Sequence, residues 1–142
     1  MNILISLLAL LLVDYQEFEC MTEAVYYEAG NQPVIGKASV ANVILNRVAD
    51  NRWPDNVCDV VRQRGQFSYY WDGKPEPIPK KDNSLERYAV LKAKTISLIY
   101  LALPIADNTK GALYYHNDKI ELPWDRVKMV AKVGNHIFYI DE

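Results

Sequence analysis

Cys20-Met21-Thr22-Glu23-Ala24-Val25-Tyr26-Tyr27-Glu28-Ala29, followed at once by Gly30, is the stretch on which the fold turns. Cys20, Ala24 and Glu28 recur at i, i+4 and i+8, so they share one face of a helix. Val25 and Tyr26 extend its apolar side. Gly30 and then Pro33 predict that the helix stops at Ala29. This pattern puts the Glu28 carboxyl in the last turn of a largely apolar helix. A helical glutamate is ordinarily a solvated surface group. Here two tyrosines precede it, Ala24 and Cys20 share its face, and the helix ends just after it, so the carboxyl belongs at the lip of a cleft. Apolar surroundings and the negative end of the helix dipole both favour the neutral acid. That is the form a general acid needs.

Working outward, Val34 to Val48 reads as a second helix. Ile35, Ala38, Ala41, Val43, Ile44 and Leu45 are too many apolar positions for a surface helix, so it is expected to be central and buried. Asn42 and Asn46 lie one turn apart on it and need partners. After Trp53-Pro54, Asp55 is expected to cap a short helix through Val61. Residues Gly65 to Asn83 form a long irregular stretch that carries an aromatic cluster, Phe67 to Trp71, and Pro75, Pro77 and Pro79. Loops of such length in small domains are commonly functional. Ser84 caps a further helix reaching about Leu103, before Pro104. Ala112 to His116 is strand-like, and Val130 to Ile140 reads as a hairpin around Gly134-Asn135. The expected class is mainly α (α+β), one domain with a small C-terminal β-hairpin. Residues 1–19 are taken as a hydrophobic segment and lead-in, and residues 20–142 as the functional domain.

The chain has 142 residues, 50% of them hydrophobic and 24% charged, which suits one globular domain with its own core. A formal charge of -2 gives no basic surface for nucleic acid, so none is expected as a partner. Ten Tyr and three Trp, against three Phe, are amphipathic rings suited to a wet groove as well as to a core. Ile3 to Val13 is apolar except for Ser6. It is too short to span a bilayer comfortably, and no Lys or Arg precedes it. Three readings stand: an export signal or anchor, a buried first helix, or a short lead-in. Export or transient membrane association through residues 3–13 is favoured, because an all-round apolar helix needs somewhere to hide. Cys20 and Cys58 are either two unrelated buried thiols or one disulfide joining two helices, worth about 4 kcal/mol in the chain-entropy treatment and formed only in an oxidising compartment. No cysteine-histidine cluster is present, so no metal and no cofactor is expected.

Tyr69, Tyr70 and Trp71 are placed to stack on sugar rings, and Gln66, Ser68 and Asp72 to hydrogen-bond hydroxyl or acetamido groups. Phe67 reads as core. His116 and His136 are the only histidines, and two without a third ligand make a weak metal site.

These residues resemble the cell-wall hydrolase family typified by spore cortex-lytic enzymes, with relatives among phage endolysins. The resemblance runs from Cys20 through Ala29, then Gly36 to Val48, Trp53-Pro54, Val57-Cys58, Gln66 to Tyr69, Gly111 to His116, Pro123-Trp124 and Gly134 to Tyr139. The order and spacing of these blocks carry it, over about residues 20–139. It implies a lysozyme-like fold close to lytic transglycosylases, a catalytic glutamate at Glu28, and a Cys20–Cys58 bridge. It implies peptidoglycan as substrate and partner, cut between N-acetylmuramic acid and N-acetylglucosamine, in the periplasm or at the cell wall. A compact single domain, expected to be a monomer, is also consistent by analogy with a phage-encoded enzyme released at lysis. Relatives usually carry an arginine after the Glu-Ala pair, where this chain has Gly30, so that arginine's role is vacant or met elsewhere.

Glu28 would protonate the glycosidic oxygen. A hydrolase then needs a second carboxylate, for which Asp72 is the candidate; a transglycosylase reuses Glu28. Gln66, Ser68, Tyr69, Tyr115 and His116 are the expected substrate contacts, with Asn46 a neighbour of the acid. The rivals are a non-catalytic wall-binding module and a zinc amidase or peptidase using His116 and His136.

Overall fold

The structure is a computed structural model and describes residues 2–63, 67, 84–119 and 124–142. Among these residues five helices precede three strands: α1 (Ile3–Leu11), α2 (Tyr15–Ala29), α3 (Val34–Ala49), α4 (Val57–Arg62), α5 (Ser84–Ala102), β1 (Tyr114–Asn117), β2 (Val127–Val133) and β3 (His136–Asp141). The architecture is mainly helical with one small antiparallel sheet.

Helix α2 begins at Tyr15 rather than Cys20, because Asp14 caps it by accepting from the Glu17 amide. Glu17 also reaches across to α4: its carboxylate accepts from the amides of Val57 at 2.6 Å and Cys58 at 3.3 Å. Those are donors at a helix N-terminus that have no intrahelical partner, and the negative charge suits the positive end of the dipole. One turn further along α2, Cys20 and Cys58 are joined by a disulfide with their Cα atoms 5.2 Å apart. The cap of α4 is Asn56, not Asp55: the Asn56 side chain accepts from the Asp59 amide at 2.8 Å.

Helix α3 is the central element. Every residue from Gly36 to Ile44 is buried. Val40, Ala41 and Ile44 pack with Met21, Ala24, Val25 and Ala29 of α2, with Val57, Val60 and Val61 of α4, and with Ala93 and Ile96 of α5. On its other side Val43 meets Ala112 and Phe138, which joins the sheet to the helices. The small residues of α3 allow this approach from two sides.

The strand order is β1-β3-β2, all antiparallel, so β1 adds a third strand to the expected hairpin. A bulge interrupts β2 between Met129 and Ala131. At the hairpin turn Gly134 takes φ +57, while Asn135 keeps a negative φ. This is the pattern of a type II′ turn, with glycine at the first central position.

Helix α1 is not a buried first helix. None of its residues is buried, Ile3 is 78% and Leu11 81% exposed, and it lies against α5. Among the described residues no helix is long and apolar enough to cross a membrane.

The disulfide closes a sequence separation of 38 residues. Cys58→Ser, or reduction, is expected to lower the free energy of unfolding by about 2–4 kcal/mol in urea melts. An unchanged midpoint would mean that the Glu17 bonds and the apolar packing of Val57, Val60 and Val61 suffice to hold α4 to α2.

Candidate active site

Glu28 is half-buried in the last turn of α2. The hydroxyl of Tyr115 on β1, 87 residues away in sequence, donates to its Oε2 at 3.1 Å. The Tyr115 ring is held on two sides, stacked on Phe138 at 5.6 Å and tilted against His136 at 5.1 Å between centroids. Strand alternation puts 136 and 138 of β3 on the same face as Tyr115.

Arg47, near the end of α3, is only 4% exposed. Its Nε donates to the Leu113 carbonyl at 2.7 Å. Its guanidinium lies 5.5 Å from the centroid of Phe67 and 5.9 Å from that of Trp53. Burial lowers its pKa, and attraction to Tyr115, Tyr114 and Glu28 opposes that shift. A guanidinium stays charged even so. Next to it, Asn46 donates to Asp107 at 2.8 Å and to the Ala112 carbonyl at 3.0 Å. One turn back, Asn42 donates to Asn108 at 2.7 Å. Both amides therefore brace the 107–112 segment that leads into β1. Asp107 completes that brace by accepting from the Thr109 and Gly111 amides at 2.7 and 2.8 Å.

The backbone just past Glu28 is fixed from α3 as well. Lys37 is 1% exposed, and its ammonium donates to the carbonyls of Gly30 at 3.1 Å and Gln32 at 2.6 Å. These are carbonyls at and beyond a helix C-terminus, where a cation also suits the dipole. Burial, and then the charge of Lys92, lower the Lys37 pKa. Gly30 keeps a right-handed conformation, but a Cβ there would sit 2.5 Å from the Tyr26 carbonyl oxygen. A side chain at position 30 would need the backbone to shift.

The expected site residues divide. Tyr115 meets the Glu28 carboxyl directly. His116 lies on the opposite face of β1: its Nε2 is 2.8 Å from the Tyr139 hydroxyl, its Nδ1 is 2.7 Å from the Asn117 carbonyl, and its ring stacks on Tyr139 at 5.2 Å. Trp124, 40% exposed, packs edge-on against His116 and Tyr139. Asn46 braces the backbone rather than facing the carboxyl. Phe67 is fully buried, in agreement with its reading as core. Gln66, Ser68, Tyr69 and Asp72 lie outside the described residues. His136 is on the inner face, so the two histidines point to opposite sides of the sheet and cannot ligate one ion. Sequence reasoning missed Lys37 and Arg47 as parts of the site. The only signal available was two cations inside an apolar helical run that carries no acid.

His136 is 6% exposed, and its Nδ1 has no hydrogen-bond partner among the described residues. Burial lowers its pKa below the ordinary 6.5, Asp118 opposes that, and His116 adds to it. The folded protein therefore holds it neutral, while the unfolded chain takes up a proton near 6.5. Its contribution to stability is full above that pH and is lost as pH falls through the folded value. Denaturation midpoints are expected to drop from about pH 7 to pH 5, and His136→Phe is expected to flatten that slope. An unaltered slope in the variant would move the effect to other groups.

The profile of the family described as cell wall hydrolase matches residues 31–139. A spore cortex-lytic enzyme of Halalkalibacterium halodurans is 34% identical over 125 residues, which are 86% of this chain and 34% of that protein. One from Bacillus cereus is 33% identical over 124 residues, 86% of this chain and 43% of that protein. The chain thus spans less than half the length of these relatives. The crystal structure of the catalytic domain of the Bacillus cereus SleB protein superposes with a TM-score of 0.66 at 32% identity, covering 89% of this chain and 91% of that one. The catalytic domain of the germination-specific lytic transglycosylase SleB from Bacillus anthracis gives 0.67 at 32% identity, covering 90% and 97%. The fold shared with these two domains is lysozyme-like.

Proposed function

We propose, from the premise that this chain belongs to the cell wall hydrolase family, that it cleaves the glycan strand of peptidoglycan with Glu28 as general acid. The observation that carries the proposal is the half-buried Glu28 carboxyl, oriented by the Tyr115 hydroxyl at 3.1 Å. Glu28 gives its proton to the oxygen linking N-acetylmuramic acid to N-acetylglucosamine. The bond from the muramyl C1 to that oxygen breaks, the electron pair leaves with the oxygen, and C1 becomes oxocarbenium-like. The Glu28 carboxylate then takes the proton of the muramyl 6-hydroxyl. That oxygen bonds to C1, which closes a 1,6-anhydro ring and restores the acid. This lytic transglycosylase course needs one carboxyl. Its support is the similarity to the Bacillus anthracis domain, itself described as a lytic transglycosylase. The hydrolytic course needs a second carboxylate, for which Asp72 is the candidate. Gln66, Ser68, Tyr69 and His116 are the proposed glycan contacts. The setting is the cell wall, outside the cytoplasm, and the exposed apolar α1 supports transient membrane association nearby.

Glu28→Gln is expected to release muropeptides from purified peptidoglycan about 10²- to 10⁴-fold more slowly than wild type. Equal release would remove Glu28 as the acid, no release by the wild type would favour the binding module, and new free amines in place of glycan ends would favour the amidase. Tyr115→Phe removes one hydrogen bond to the carboxyl and is expected to lower kcat about tenfold with little change in KM. A change confined to KM would make Tyr115 a substrate contact instead.

A further inference from the structure

Arg47 is an expensive residue to bury. A charge taken out of water needs either an opposite charge or a full set of hydrogen bonds. Its Nε has one acceptor, the Leu113 carbonyl, while its Nη1 is buried with no hydrogen-bond partner among the described residues. Two aromatic rings repay only part of the lost hydration. An apolar side chain would pack at this place with less cost, so packing alone does not account for a guanidinium here.

Its connections account for it. Arg47 and its neighbour Asn46 donate to two consecutive carbonyls, those of Leu113 and Ala112. The Leu113 amide in turn bonds to the Tyr139 carbonyl at 2.9 Å. Two residues after Leu113 comes Tyr115, whose hydroxyl holds Glu28.

We propose that Arg47 is the positioning residue of the acid: it pins the strand that delivers Tyr115 to Glu28, and it supplies the buried positive charge that the Glu28 carboxylate faces after giving up its proton. The second part rests on the reading of Glu28 as the acid; the pinning of Tyr115 does not. Arg47 is bonded to the strand two residues before the tyrosine that holds Glu28, and attraction between the two charges, which opposes the effect of burial on the guanidinium, favours the anionic carboxylate in return. In the cleavage step the anion exists only between proton donation and proton return. A fixed cation beside it stabilises that interval without itself exchanging a proton. Arg47 thereby also sets an upper pH limit, since the more the anion is favoured, the lower the pH at which the acid form is lost.

The other titratable groups around the pair, among the described residues, include Lys37 on α3, held at the Gly30 and Gln32 carbonyls, Tyr26 and Tyr27 on α2, Tyr114 and Tyr115 on β1, and His136 on β3, behind Tyr115. The tyrosines do not titrate between about pH 4 and 8, and His136 is followed separately by its ring resonances.

Two substitutions separate charge from clamp. Arg47→Lys keeps the charge, whereas Arg47→Gln keeps a donor without the charge. In muropeptide release the alkaline limb of the pH-rate profile is expected to stay in place for Arg47→Lys. For Arg47→Gln it is expected to move up by about one pH unit. A purely structural role would lower kcat in both variants and move neither limb; that outcome would overturn the proposal. A wild-type measurement covers the case in which a variant fails to fold. The carbon-13 resonance of the Arg47 guanidinium is expected to shift with the same midpoint as the Glu28 carboxyl. Independent midpoints, or an Arg47 signal that does not respond, would also overturn it. The titration needs no substrate, so it stands or falls separately from the cleavage activity. If Glu28→Gln remained active while the two groups titrated together, the reading of Glu28 as the acid would fail and the electrostatic pairing would remain.

Discussion

The hydroxyl of Tyr115 reaches the Glu28 carboxyl across 3.1 Å, and that bond exists only because α3 stands between α2 and the sheet. Helix α3 packs Val40, Ala41 and Ile44 against α2 and turns Val43 toward Phe138 on the sheet. Replacing its small residues by larger ones would separate the two partners of the bond. The disulfide and the Glu17 bonds hold α4 against α2. Glu28 is thus fixed at one end of a braced helix, its position set by packing, the disulfide and the Glu17 bonds.

Two buried cations on α3 divide the work around Glu28. Lys37 holds the backbone that follows the acid, through the carbonyls of Gly30 and Gln32. Arg47 holds the backbone that brings the acid its hydrogen-bond donor. Neither has an ion-pair partner on its own helix, and both are nearly sealed from water. Buried charges of this kind cost stability unless they are compensated, so a sequence that keeps two of them on the backbone that frames Glu28 is trading stability for geometry. The glycine after the Glu-Ala pair fits the same scheme. At that corner a Cβ would crowd the Tyr26 carbonyl, and Lys37 supplies a positive charge from the neighbouring helix.

The helices were legible because burial imposes a period on their residues. The Ala24–Glu28 spacing, the apolar run in α3 and the turn at Gly134-Asn135 each follow from local rules, and so did the placing of Glu28 at a helix end. Caps were less legible. Asp14 starts α2 earlier than the apolar pattern does, and Asn56 rather than Asp55 caps α4, because neighbouring residues of equal capping ability are separated only by which side chain reaches the free amide. Site partners were least legible. Tyr115 and His116 are adjacent in sequence, yet alternation sends one to the acid and the other to Tyr139 and Trp124. Arg47 and Lys37 gave no local sign of their roles, since their acceptors are backbone carbonyls, which every residue carries.

The most direct test of a single carboxyl acting first as acid and then as base is to digest peptidoglycan in oxygen-18 water and weigh the released muropeptides. The expected products end in 1,6-anhydro-muramyl groups that carry no oxygen-18, because the nucleophile is the sugar's own 6-hydroxyl. Reducing ends that each carry one oxygen-18 would contradict it, since water would then be the nucleophile and a second group would have to activate it.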